Sequence, residues 1–132
     1  MELTRGRVLI PGEAEGEVLR LVEPISFWGG VDSDTGSLLE IGEPDDGATV
    51  AGKVLVIAAT RGSSSSSAVM LELLRNGHAP RALIMARADA ILVLGVIVAR
   101  EMGWPTIPVL ELPRSEQERL ETGMRVRLSA DG

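Results

Sequence analysis

The sequence predicts an α/β fold in which an irregular β N-terminal half leads into a β-α-β-α-β parallel core. Three observations predict it. Gly and Pro break the first fifty residues at short intervals, whereas from Lys53 onward apolar runs alternate with helical patterns. The runs Val54-Leu55-Val56-Ile57-Ala58-Ala59 and Ala82-Leu83-Ile84-Met85-Ala86 are apolar without alternation, as strands covered on both faces are. Glycine, followed within a few residues by proline, closes each of the two long helical stretches.

The elements follow in order. Arg7 to Ile10, Glu17 to Val22 and Ser37 to Ile41 are β-like pieces between turn residues. Val54 to Ala59 is the first buried strand. Ala68 to Arg75 places Val69 and Leu73 on one helical face, and Asn76-Gly77 ends that helix. Ala82 to Ala86 is the second core strand. A helix from Ala90 to Met102 is stopped by Gly103 and Pro105, before a strand at Thr106 to Leu110. Pro113-Arg114-Ser115 opens a short helix to about Glu121, and Met124 to Leu128 alternates as a last strand. With 132 residues and 45% apolar content, the chain suits one hydrophobic core, so residues 1–132 are read as a single domain. Right-handed crossovers would gather the strand ends and helix starts on one sheet edge, where ligands are expected.

Composition narrows the function. Nineteen acidic residues against thirteen basic ones leave a net charge of −6, and no segment clusters Lys and Arg, so nucleic acid is not an expected partner. With no cysteine, the chain has neither disulfides nor thiolates for an iron–sulfur cluster. One histidine, His78, and scattered carboxylates do not make a zinc or calcium site, so no metal is expected in this chain. The start Met1-Glu2-Leu3-Thr4-Arg5 has no apolar signal core, and the longest apolar run, Ala90 to Ala99, is about half a membrane span. The expectation is a soluble, cytoplasmic protein without a membrane partner.

Two segments could carry chemistry. Arg61-Gly62-Ser63-Ser64-Ser65-Ser66-Ser67 would be a flexible linker by pattern alone. Its position inside a β-α unit argues otherwise: Gly62 permits a tight turn, and the serines cap the free amides of the following helix or help them hold an anion. Ser26-Phe27-Trp28-Gly29-Gly30-Val31-Asp32 joins two aromatic residues to a glycine pair and an acid. It reads either as a tight turn with core aromatics or as a loop presenting Asp32 and the Gly29 and Gly30 amides to a ligand. His78, between Asn76-Gly77 and Ala79-Pro80, suits a helix end better than catalysis.

Those two segments, together with Pro11-Gly12-Glu13-Ala14-Glu15-Gly16 and Ala90 to Pro105, stand in order and at suitable separations. Over nearly the whole chain they resemble the small-subunit family of aconitase X. The resemblance implies a swivelling β/β/α domain of the aconitase swivel type. It also implies a larger partner subunit that carries the metal or iron–sulfur site and most substrate contacts. The family's activities are dehydrations of cis-3-hydroxy-L-proline or of mevalonate 5-phosphate. The serine after Arg-Gly is the family's proton acceptor, which carries over to Ser63 as catalytic residue. Arg61, Gly62, Ser64, Ser65, Ser66, Gly29, Gly30 and Asp32 then contact substrate. Mevalonate phosphate enzymes tend to have Cys-Thr-Gly after that serine, where this chain has Ser64-Ser65-Ser66; the unbroken serines look more like the hydroxyproline group.

Elementary chemistry agrees with the need for a partner. Eliminating water requires a base for the C–H proton beside the carboxylate and an acid or Lewis acid for the departing hydroxyl. An alkoxide is favoured at a helix N-terminus, and Arg61 adds positive charge. The opposite pole must come from the large subunit. Two other readings stay open at this point. One is a non-catalytic swivel module that binds a small molecule or partner. The other is a phosphohistidine-type carrier, because Val98-Ala99-Arg100-Glu101-Met102-Gly103-Trp104-Pro105 resembles phosphoenolpyruvate-utilising swivel domains, although Leu94 fills the slot of their histidine.

Overall fold

A computed structural model of the chain describes residues 7–21, 31–32, 35–38, 48–57, 66–87 and 89–130. The described strands are β1 (Arg7–Ile10), β2 (Gly12–Leu21), β3 (Lys53–Ile57), β4 (Ala82–Met85), β5 (Val109–Glu111) and β6 (Arg125–Ala130). The described helices are α1 (Ser66–Asn76), α2 (Ala90–Glu101) and α3 (Arg114–Gln117). The strands form one sheet in the order β1-β5-β4-β3-β2-β6. Its four central strands are parallel, and β1 and β6 run antiparallel at the two edges.

Strands covered on both faces need apolar side chains at every position, and β3 and β4 supply them. Leu55, Ile57, Leu83 and Met85 face α1 and α2, where they meet Met70, Leu73, Leu92, Val96 and Ala99. Val54, Val56, Ala82 and Ile84 face the other way, against Leu112, Leu120, Val126 and Leu128. Each such burial contributes about 1.5–3 kcal/mol for a full-sized aliphatic side chain, so this central ribbon holds both layers.

Both long helices end as the glycines predict. At α1 the His78 N–H reaches the Leu73 carbonyl at 3.0 Å, with Gly77 at φ +76°. At α2 the Trp104 N–H reaches Ala99 at 2.9 Å, with Gly103 at φ +74°. This bond from two residues past the cap satisfies a carbonyl the helix leaves open, and the left-handed turn that makes it favours glycine.

Four elements differ from the sequence expectation by more than two residues at a boundary. β2 begins at Gly12 because its first half is paired by β6, from Gly12↔Ala130 to Glu17↔Arg125, before its second half joins β3. The predicted strand at Ser37 to Ile41 is represented by single bridges, Val31↔Leu38 and Ser37↔Thr49, and residues 39–41 lie outside the described residues. β5 starts at Val109, after Pro105 and Pro108, which have no N–H to give the ladder; the Pro108 carbonyl still accepts from Leu83 at 3.1 Å. α3 stops at Gln117 because the chain tightens to bring Leu120 into the core, with its N–H on the Gln117 carbonyl at 2.9 Å.

Candidate functional site

Because β2, β3, β4 and β5 are parallel, their last residues, Leu21, Ile57, Met85 and Glu111, lie on one edge of the sheet. The two segments singled out above are the continuations of neighbouring strands at that edge. The one with Gly29 and Gly30 follows β2, and the one with Ser63 follows β3 and leads into α1. Arg61, Gly62, Ser63, Ser64, Ser65, Gly29 and Gly30 lie outside the described residues, as does the side chain of Ser66, whose backbone opens α1. Asp32 is half-buried in a turn: its N–H donates to the Ser37 carbonyl at 2.9 Å, and its own carbonyl accepts from Gly36 at 2.7 Å.

Three described residues that the sequence reading passed over shape this edge. Gln117 is 2% exposed and is the one buried polar side chain among the described residues. Its amide donates to the Ile57 carbonyl at 3.1 Å and to the Leu112 carbonyl at 3.1 Å. Ile57 also accepts from the Ala86 N–H at 3.1 Å, and the Leu112 N–H donates to Met85 at 2.7 Å. The exits of β3, β4 and β5 are therefore stitched together just before the serine segment departs.

The second is Asp89, which caps α2. Its Oδ1 accepts from Ile91 at 3.0 Å and Leu92 at 3.2 Å, and its carbonyl accepts from Val93 at 3.0 Å. An aspartate before an apolar helical run is a legible cap signal. The third is Gly95, where a Cβ would sit 2.6 Å from the Ser67 carbonyl oxygen and 3.1 Å from the Met70 Cβ. Glycine here lets the first turn of α1 lie directly on α2. A lone glycine inside an apolar helix commonly marks such a close approach.

The first turn of α1 contains no acidic residue, while Arg75 sits in its last turn. The amino end of this helix thus favours negative charge. A shallow cleft of about 290 Å³ lies on the opposite edge, between Glu13, Ala14, Arg81, Thr106 and Pro108 at the amino ends of β4 and β5. That is the edge away from the strand exits. Among the described residues no three or more His, Cys, Asp or Glu come together as metal ligands. None of the described helices is long and apolar enough to cross a membrane.

His78 ends α1 rather than joining the strand exits, with its Nδ1 buried and without a hydrogen-bond partner.

A family model described as the aconitase X swivel domain matches residues 3–132. The chain belongs to the aconitase X swivel-domain family. The swivel domain is 38% identical over 127 residues to the phosphomevalonate dehydratase small subunit of Thermococcus gammatolerans, covering 96% of this chain and 91% of that one. It is 40% identical over 116 residues to the cis-3-hydroxy-L-proline dehydratase of Hypocrea jecorina, covering 88% of this chain but 20% of that longer one. The crystal structure of Thermococcus kodakaraensis aconitase X in its holo form superposes with a TM-score of 0.83 at 36% identity, covering 95% of this chain and 89% of that one. The mixed α/β architecture expected from the sequence is thus the aconitase X swivel fold.

Proposed function

We propose that Ser63 is the base of a dehydration whose active site closes between this swivel domain and a larger subunit. The chain is the small subunit of an aconitase X type dehydratase, a hydro-lyase. Phosphomevalonate and cis-3-hydroxy-L-proline, named by its relatives, are both 3-hydroxycarboxylates, and that is the substrate class assigned here. The observation that carries the reading is topological. The Arg61-Gly62-Ser63 segment bridges Ile57, whose carbonyl is anchored by Gln117, and the acid-free amino end of α1.

In this reaction the Ser63 alkoxide takes the proton from the carbon beside the substrate carboxylate. The electron pair of that C–H bond becomes the new C=C bond, and the C–O bond to the 3-hydroxyl breaks with its electron pair, the departing hydroxide becoming water on protonation by an acidic group of the large subunit. Arg61 and the amides opening α1 hold the alkoxide in its charged form. Gly62 permits the turn, while Gly29, Gly30, Asp32 and Ser64 to Ser66 contact substrate. The group that receives the leaving hydroxyl belongs to the large subunit, as does any metal or iron–sulfur cluster. This chain has no cysteine, and its described residues hold no ligand cluster, so no step is assigned to such a group here. The single domain acts as one movable wall of the cleft.

The test is Ser63→Ala in the assembled enzyme, assayed with both 3-hydroxycarboxylates. Assembly persists while the dehydration rate and the exchange of solvent deuterium into the substrate C–H position fall by roughly 100- to 10,000-fold. Exchange and dehydration at wild-type rates would remove Ser63 from the mechanism.

A further inference from the structure

We infer that the outward face of α2, formed by Ile91, Leu94, Ile97 and Met102, is where the large subunit docks. Helices on a sheet are ordinarily apolar on the buried side and polar on the other. α1 obeys this: Met70, Leu73 and Leu74 are buried, while Arg75 and Asn76 are exposed. α2 does not. Leu92, Val93, Gly95, Val96 and Ala99 take the inner side, yet Ile91, Leu94 and Ile97 on the outer side are 36%, 49% and 42% exposed, and Met102 just past the helix is 56% exposed. From Ala90 to Ala99 the helix contains no polar side chain at all. A helix apolar on every side belongs in an interior.

Single exposed apolar residues are ordinary, but a contiguous group marks an interaction site. Here every large apolar side chain that is exposed among the described residues lies on this helix or at Met102, its C-cap. The choice of occupant rests on the preceding subsection's reading that a large subunit completes the site, and three observations favour it. The face begins at Ile91, two residues after the Asp89 cap, so it is continuous with the edge where β3, β4 and β5 end. In the cis-3-hydroxy-L-proline dehydratases the matched domain is 20% or 18% of a longer chain, so a body of several times its size is available to cover it. A second copy of this chain is disfavoured by charge, because each copy carries −6. The four side chains form the apolar centre of the interface, and exposed Arg87, Arg100 and Glu101 form its polar rim.

The experiment measures binding of the chain to its cognate large subunit by biolayer interferometry and sedimentation. Leu94→Glu and Ile97→Glu each weaken binding by about 10-fold or more, Leu94→Met binds like wild type, and Arg127→Glu on the β6 edge does the same. Thermal melting of each isolated variant stays at the wild-type temperature, which separates docking from folding. Binding within about two-fold of wild type for both Glu variants overturns the inference. So does a wild-type chain that self-associates through this face while the Glu variants still bind the large subunit normally. These readouts do not depend on turnover: a Ser63→Ala complex with wild-type rates defeats the catalytic reading and leaves this one standing. A wild-type chain that binds no large subunit defeats both.

Discussion

The Gln117 Nε2 donates to the Ile57 carbonyl across 60 positions of sequence, at 3.1 Å and buried from solvent. The same amide holds Leu112, so one side chain from α3 ties the exits of two strands. Gln117→Ala removes both bonds and leaves a cavity. It should lower unfolding free energy by about 2–4 kcal/mol, read by urea denaturation. Gln117→Glu is the sharper variant, because a carboxylate would face two carbonyl oxygens. Folding then favours the protonated acid and raises its pKa above the ordinary glutamate value, so the Glu variant should be least stable at neutral pH, regain stability as pH falls toward about 4.3, and gain nothing further below it. A pH-independent deficit would mean the side chain had turned away from the carbonyls.

Gly95→Ala sets two effects against each other. Alanine gains about 1 kcal/mol in helix propensity, yet its methyl would lie 2.6 Å from the Ser67 carbonyl oxygen. Overpacking costs typically 1–3 kcal/mol, and backbone is what must give. The variant should be net destabilised in chemical denaturation, and its assembled enzyme should lose dehydration rate because the first turn of α1 is displaced. A stabilised Gly95→Ala would show that the two helices can part without cost.

Asp89→Ala frees the Ile91 and Leu92 amides. The loss should be about 1 kcal/mol, with Asp89→Ser or Asp89→Asn recovering most of it. Denaturant midpoints at constant m-value make the comparison.

On the proposed mechanism the chain without its large subunit should fold and dehydrate neither substrate, since it would supply a base and no acid. It should also accept no phosphate from phosphoenolpyruvate, because Leu94 stands in the histidine slot. Acid-labile phosphate at His78 would contradict this.

Legibility tracked the distance over which each feature is specified. β3, α1, β4 and α2 were readable because an apolar run and its Gly or Pro terminator lie within one short window. The first half of β2 was not, because Gly12, Glu13, Glu15 and Gly16 look like a turn until β6 arrives from the far end of the chain. Pro108 delayed β5 for a local reason that its missing N–H announces. The role of Gln117 depends on a carbonyl 60 residues away, which no window around it contains. Gly95 did carry a local signal, a glycine amid Leu94 and Val96, but its partner Ser67 is on another helix. Of the candidate site, Asp32 and the Ser66 backbone are described, and the remaining predicted residues, Ser63 among them, lie outside the described residues.

The pairing of β2 with β6 bears on the order in which the molecule assembles. β3, α1, β4 and α2 follow one another and can collapse with short loops. The β2–β6 ladder must close a loop of nearly the entire chain, as the Arg125–Glu15 pair, 110 positions apart, makes plain. Loop-closure entropy has to be met before such contacts return any energy. The β-α-β-α centre should therefore form the folding nucleus, with β6 locking on late. Substitutions in β6 such as Val126→Ala should accelerate unfolding while leaving the refolding rate nearly unchanged.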